Sequence, residues 1–407
     1  MDIDIAAWLG LALRWLHLIT GIAWIGSSFY FIWLDNALRP PADPRDREAG
    51  ASGEVWAVHG GGFYHKQKYP VAPAHMPAEL HWFKWEAYFT WLSGFALLAL
   101  IYYASAELYL IDRSRLDLAP WQAIAISLGC IVGGWLAYDG LCRSPLGRDN
   151  RLFAVVWFAL LTAAAWALTQ VFSDRGAFIH VGVIMGTAMA ANVFMLIIPN
   201  QKKVVADLLA GRSPDPRLGQ LAKQRSLHNN YMTLPVLLVM IASHYPMLQG
   251  HAFNWLLLAG LGAVAWLVRH FFNLRHKGRI DYRFPVAGAL GFVIIAVLAS
   301  YRTPAPDAGP GQRAVGSAVA ADTGEVRRII RERCIQCHSD TPSQPGFAVA
   351  PLGVMYDKLD EIVIQAPRIK AQAVDTRMMP PGNLTGMTDQ ERQALGEWID
   401  RLGGSGE

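Results

Sequence analysis

Charge is scarce in this 407-residue chain, and cysteine is scarcer. Charged residues make up 17% and hydrophobic residues 53%. That balance argues against an ordinary pair of soluble domains and towards a polytopic membrane protein. Four cysteines are too few for a disulfide framework, and the chain holds no second Cys-x-x-Cys that would complete a zinc site with the first. No internal repeat of fixed period is visible. Met1-Asp2-Ile3-Asp4 lacks the positive n-region of a cleaved signal peptide, so the first apolar segment is expected to remain as a spanning helix. The net charge of +4 matters less than its distribution, and no nucleic-acid partner is expected.

Among the little cysteine there is, two residues carry the strongest chemical signal. Cys334-Ile335-Gln336-Cys337-His338 has the spacing of a c-type haem attachment site. One helical turn separates the thiols by the distance needed to add to two vinyl groups of one haem, and the following imidazole can then sit under the iron. The competing readings are a chance occurrence in a surface loop and half of a zinc site. On the first reading an electron passes through this protein, with Cys334 and Cys337 as covalent haem c attachments and His338 as an axial ligand.

About eight stretches are long and apolar enough to span a bilayer, at roughly 20 residues per crossing. They lie near 8–33, 85–104, 119–138, 152–172, 177–199, 230–246, 252–270 and 284–301, the sixth carrying Pro235. The intervening loops alternate in charge. Arg39, Arg45, Arg47, Lys66, Lys68 and Lys84 fall in the first, three basic residues in 139–151, six in 200–229 and four in 271–283. The alternate loops hold Arg113 and Arg115, then Arg175, then none. The positive-inside rule makes the rich loops cytoplasmic, so eight spans leave both termini outside. Haem c is attached on the outer face of the bacterial inner membrane, so a C-terminal haem domain is required there independently. The expected organisation is a membrane domain over 1–302, a Pro/Gly/Ala linker over 303–322 and a small soluble domain over 323–407.

In that last domain Val326, Ile329 and Ile330 share one helical face just before Cys334. Thr388-Asp389-Gln390-Glu391 forms a capping box opening a second helix, with Leu395, Trp398, Ile399 and Leu402 at helical spacing. With the loop Met378-Met379-Pro380-Pro381-Gly382, this arrangement resembles a small class I cytochrome c. In that family the axial methionine directly precedes proline, which implies Met379 as the sixth ligand, with Met378 as nearest rival and Met355 and Met387 behind it. A thioether opposite an imidazole raises the potential, as suits an electron acceptor. The fold expected overall is all-α, a membrane bundle of about eight helices plus this domain.

Ionisable groups inside spans are costly and mark function by default. His17 lies in the first span, His180 opens the fifth, His244 closes the sixth and His251 precedes the seventh, all towards the outer side. Two such imidazoles could ligate an additional b-type haem or metal, and the bland alternative is four unrelated, hydrogen-bonded histidines. The first inner loop carries Trp56-Ala57-Val58-His59-Gly60-Gly61-Gly62-Phe63-Tyr64-His65-Lys66-Gln67-Lys68. Gly61 permits close backbone approach, Phe63 and Tyr64 could stack a planar ring, and Lys66 and Lys68 could hold an anion. The alternative is a re-entrant or interfacial loop with an aromatic belt. Glu86 begins the second span, and with His59 and His65 it is a candidate general base.

Trp-Ala-Val-His-Gly-Gly-Gly-Phe-Tyr over 56–64, Lys-Tyr-Pro over 68–70 and the first span's Arg14-Trp15-Leu16-His17 through Gly26 together resemble the bacterial membrane-bound urate oxidase (urate hydroxylase) family. The resemblance spans nearly the whole chain. It implies oxidation of urate to 5-hydroxyisourate, with electrons leaving through the attached cytochrome to a soluble cytochrome c or a terminal oxidase instead of directly to oxygen. It also implies a multi-pass protein of the inner membrane bilayer, with the haem domain in the periplasm. Two readings of another class stand beside it, a quinol-oxidising cytochrome subunit and a haem-gated transporter or sensor.

Overall fold

A computed structural model describes residues 5–300 and 323–404, apart from 71, 72, 74–78, 114, 243, 346, 348, 349, 352 and 353. The expected linker 303–322 lies outside the described residues. Helix α1 (Ile5–Ala37) is followed by the single turn α2 (Pro44–Glu48) and by a hairpin of β1 (Gly53–His59) and β2 (Gly62–Lys68). Helix α3 (Trp85–Leu98) continues as a π-helical stretch, Ala99–Tyr103, and a short α4 (Ala106–Tyr109) leads to α5 (Pro120–Arg143) and α6 (Asn150–Val171). Then come α7 (Asp174–Ala191), a second π stretch (Asn192–Ile197), α8 (Ile198–Leu209), α9 (Pro216–Ala242), α10 (Pro246–Gln249), α11 (Asn254–His276) and α12 (Arg283–Ser300). The C-terminal domain contains α13 (Thr323–Arg333), α14 (Leu359–Ile364), α15 (Ala366–Ile369) and α16 (Asp389–Gly404).

Six helical runs are long and apolar enough to cross a membrane, namely α1, α5, α6, α7 through α8, α11 and α12. The remaining two expected spans coincide with α3 and its π continuation, and with α9. The apolar part of α9 does not begin where the helix begins. Its first half carries Arg217, Lys223, Arg225, His228, Asn229 and Asn230, so its average polarity is that of a half-soluble helix. Pro235 sits inside it without ending it. The helix starts follow local chemistry. Asp149 Oδ1 accepts the Arg151 and Leu152 N–H groups at the start of α6, and Ser173 Oγ accepts the Gly176 N–H at the start of α7.

α7 forms the axis of the bundle. Phe178, Val181, Ile184, Met185, Ala188 and Met189 are all buried, and its small residues let neighbours come close. A Cβ on Gly182 would lie 2.9 Å from Val239, and one on Gly134 of α5 would lie 2.6 Å from Ile184. The outer faces of α1 and α12 show the reverse pattern. Trp8, Leu11, Trp15, Leu290, Phe292 and Val293 are exposed, a belt that water would not tolerate and that is compatible with a membrane protein.

The Gly-rich first loop is a correction to a purely all-α fold. It is an antiparallel hairpin in which Trp56 faces His65 and His59 faces Gly62. Gly60 and Gly61 turn it, both at positive φ (57° and 79°), the geometry of a type I′ turn. Short strand formers on either side of Gly-Gly make a hairpin signal that length alone disguises.

In the C-terminal domain Val326, Ile329 and Ile330 of α13 are fully buried against Leu395, Trp398 and Ile399 of α16. The capping box forms as the sequence predicts. Thr388 Oγ1 accepts the Glu391 N–H at 3.2 Å, and Glu391 Oε2 accepts the Thr388 N–H at 2.8 Å. Burial opposes ionisation of Glu391, yet the guanidinium of Arg333, which donates to it, and the Thr388 N–H hold its carboxyl below the ordinary range.

Candidate functional site

α13 ends at Arg333 and the chain turns immediately. The Cys334 N–H donates to the Ile330 carbonyl and the His338 N–H to the Cys334 carbonyl. This turn sets Cys334, Cys337 and His338 on one wall of a cavity of 1460 Å³, with Met378 and Met379 also lining it. His338 Nδ1 donates to the Val354 carbonyl at 2.9 Å, which leaves Nε2 as the lone-pair nitrogen, the usual arrangement of a metal-binding imidazole. The Met379 backbone is held from both sides, its N–H by the Gln372 carbonyl at 2.9 Å and its carbonyl by Arg392 Nη1 at 2.8 Å. Met387 also reaches the cavity but is buried in the domain core, and Met355 does not line it. Burial pushes the Cys334 thiol up to about 12, so as a free thiol it stays protonated at neutral pH. The residues present can hold a flat group between two thiol attachments and two axial donors.

The opposite wall belongs to the helical bundle. Asp112, Arg115, Trp166, Asp174, His244, His251 and Trp255 line it. Its rim is braced by Arg115, whose Nη1 donates to the Thr169 carbonyl at 2.6 Å and whose Nη2 donates to Asp174 at 2.7 Å. Asn254 Nδ2 donates to the same carboxylate at 2.6 Å. Two glycines allow the halves to meet. A Cβ on Gly250 would fall 2.2 Å from the Thr376 carbonyl oxygen, and one on Gly382 would fall 2.2 Å from that of Ile111.

The other sequence-predicted residues do not gather in one place. His17 Nδ1 donates to the Thr90 carbonyl at 2.9 Å, and its ring packs on Gly94. His180 is fully buried, its Nδ1 donating to the Gly176 carbonyl and its Nε2 accepting from Ser127 at 2.5 Å. His244 and His251 lie on the cavity that Cys334 and His338 line, where His251 Nδ1 accepts the Phe253 N–H. Among the described residues, one group of three or more His, Cys, Asp or Glu brings its ligand atoms within 4.8 Å of one another, and it is Asp46, Glu54 and His65. His65 there hydrogen-bonds Glu54 at 2.5 Å and stacks on Trp56. Lys68 pairs with Asp35 at 2.6 Å, and Lys66 lies over the rings of Tyr30, Trp33 and Tyr64. Gly61, His59 and Phe63 are exposed at the tip, and Glu86 stands apart at the start of α3. Neither of the two cavities described in this section is lined by the hairpin.

Deeper in the bundle is a polar network that the sequence reading passed over. Tyr138 donates to His228 Nδ1 at 3.0 Å and accepts from Asn192 Nδ2 at 2.8 Å. Asn192 also donates to Asn229 at 2.8 Å and accepts from Arg225, which donates to Asp139 at 2.7 Å. Asn192 opens the π stretch that interrupts the central helix, a distortion frequent at functional sites. Beside it, a 620 Å³ apolar cavity is lined by Phe153, Trp157, His228, Tyr231 and Trp266, among others.

A family model described as "Urate oxidase N-terminal" matches residues 4–300. The chain belongs to the urate oxidase N-terminal family. No curated protein and no solved structure matches it. The match covers α1 through α12, so the urate oxidase portion is the helical bundle and the Cys-x-x-Cys-His domain lies beyond it. Within this urate oxidase portion, the missed residues share one origin. Arg225, His228 and Asn229 were assigned to an inner loop, because hydropathy falls there, whereas α9 begins nine residues earlier at Pro216. Their signal was a helical run of polar residues leading without a break into an apolar one.

Proposed function

We propose that this chain is a membrane-bound urate oxidase that sends its electrons out through a haem c held by the C-terminal domain. The observation that carries the reading is the family match over 4–300, on a bundle whose outer loops form one wall of the cavity bearing Cys334, Cys337 and His338. In this reading eight helices cross the bacterial inner membrane with both ends outside, α3 and α9 being the two beyond the six most apolar.

Conversion of urate to 5-hydroxyisourate adds the oxygen of one water and releases two electrons and two protons. A bound haem c would supply one-electron redox chemistry for those electrons, with a soluble cytochrome c or a terminal oxidase as the final acceptor. Cys334 and Cys337 would hold it through thioethers, His338 Nε2 and Met379 Sδ would be the donors to its iron, and the Val354 carbonyl would keep the imidazole in the required tautomer. On the membrane side Arg115, Asp174 and Asn254 fix the rim that faces it. Urate is a flat monoanion at neutral pH, and its reaction requires a base within reach of the attacking water. The hairpin's His65, Lys66 and Lys68 are each engaged with α1 or with another part of the first loop, which supports a fastening role for that element.

Adding urate without oxygen to the oxidised full-length protein tests the proposal. One urate should reduce the haem of two chains, with the absorption change of a ferrous c-type haem. Absence of reduction by urate, with reduction by a quinol in its place, favours the competing reading of a quinol-oxidising subunit, for which the apolar cavity beside His228 and Tyr231 is the supporting observation.

A further inference from the structure

Two arginines are buried in the bundle, and they are treated differently. Arg225 is 2% exposed and its guanidinium is neutralised by Asp139 at 2.7 Å. Arg269, on α11, is 3% exposed and forms no ion pair with a carboxylate among the described residues. Its Nε donates to Asn230 Oδ1 at 2.9 Å, and Asn273 Nδ2 donates to that same oxygen at 2.9 Å. Its Cζ lies 3.8 Å from the centroid of the Phe29 ring. Around it, Arg269 Nη2, Asn230 Nδ2, Asn273 Oδ1 and His276 Nδ1 are all buried without a partner. One patch therefore holds four unmet hydrogen-bonding atoms and an uncompensated positive charge.

Native interiors rarely leave such groups orphaned, and an unpaired charge in a helical bundle is dearer still. Water could complete the hydrogen bonds, but it carries no countercharge. The missing partner must be an anion that also offers acceptors to Arg269 and Asn230 and a donor to Asn273. A flat heterocyclic anion with ring N–H groups beside carbonyl oxygens has that pattern on one edge, and a simple inorganic anion such as chloride has no donor.

We infer that Arg269, Asn230 and Asn273 form the recognition site for a planar purine-type anion, which on the proposed function is urate itself. His276, one helical turn beyond Asn273, completes the patch. The 620 Å³ cavity is lined by Tyr231, Trp266 and His270 of the same two helices and by none of the four patch residues, so a ligand seated on the patch requires the side chains between the two to move. This inference rests on the urate reading for the identity of the ligand, whereas the unmet charge and hydrogen bonds stand without it.

The test is equilibrium dialysis of labelled urate against the haem-loaded, pre-reduced full chain, so that binding is read without turnover. Wild type should bind urate, and Arg269→Met should weaken binding about 10- to 100-fold, the loss typical of a charge-assisted hydrogen bond. Asn273→Asp supplies an internal countercharge, so it should fold and likewise lose urate. Xanthine, which is largely uncharged at neutral pH, should bind more weakly to wild type and be little affected by Arg269→Met. Without ligand, Arg269→Met should unfold at the wild-type temperature or above it, since it removes an uncompensated charge. Wild-type affinity in either variant overturns the site while leaving the urate reading intact. A large fall in the unfolding temperature of Arg269→Met makes the guanidinium structural and also overturns it. Failure of wild type itself to bind urate overturns both.

Discussion

Gly250 sits where the helical bundle meets the C-terminal domain, and replacing it with alanine probes that junction directly. The new Cβ would fall 2.2 Å from the Thr376 carbonyl oxygen and 2.6 Å from the Thr376 Cα and Cβ. Comfortable contacts lie near 3.5 Å, so the two segments must part by about 1 Å. The nearest atom is backbone, and no rotation of the Thr376 side chain relieves the clash. A gap of about 0.5–1 Å forfeits roughly a quarter to a half of the dispersion energy of a contact, so the interface loosens over its whole face. Gly250 touches Thr376, three residues before Met379, but not Cys334, Cys337 or His338, so on the proposed function the haem should stay covalently attached. Anaerobic stopped-flow mixing with urate should show haem reduction slowed several-fold, and limited proteolysis should cut more readily within 303–322. Wild-type reduction kinetics together with wild-type cleavage would refute the reasoning, because the halves would then not meet as described.

Other expectations concern separate parts of the molecule. Met379→His should replace a thioether by an imidazole, shift the haem spectrum and lower the potential, and an unchanged spectrum would move the axial role to Met378. Arg225→Met leaves Asp139 with Arg143, whose Nε donates to it at 2.6 Å, and removes one charge-assisted hydrogen bond, so it should cost about 1.5–3 kcal/mol, measured as a fall in denaturation midpoint; no loss would mean that Arg143 alone satisfies the carboxylate. The Glu54 carboxyl is held below its ordinary range by the Ala42 N–H and by His65. Its folded pKa therefore lies under the unfolded one, so its contribution is complete above about pH 4.3 and is lost as pH falls through the lower folded value. Hydrogen exchange across 53–68 should accelerate on that acid side, and Glu54→Gln should exchange fast at neutral pH too; an acid limb that survives in the glutamine variant would assign it to another group.

The bundle was legible in the sequence wherever apolarity coincides with a helix, as in α5, α6, α11 and α12. It was misread where the two part company. α9 is continuous through a polar first half and an apolar second half, so a hydropathy reading placed its beginning at residue 230 and left His228 and Asn229 in a loop. Attention to histidine as the marker of function in a span passed over Arg269, which carries the same signal more strongly. The hairpin was hidden for another reason. Its strands are seven residues each, and the Gly-Gly turn reads equally well as a flexible binding loop until its pairing is seen. The C-terminal domain was the most legible part, because the capping box, the buried face of α13 and the cysteine spacing are all local.

The placement of the cavity that Cys334 and His338 line has a consequence for the order in which the protein is made. Its two walls come from different halves of the chain, and the junction at Gly250 and Gly382 leaves no slack between them. Docking brings the second wall over any group held by the first, so on the proposed function covalent attachment before docking is the order that leaves the two thiols most open to it. Until then the C-terminal domain would stay undocked from the bundle. Maturation would then be a timed sequence, with the finished junction serving as the sign that loading is complete.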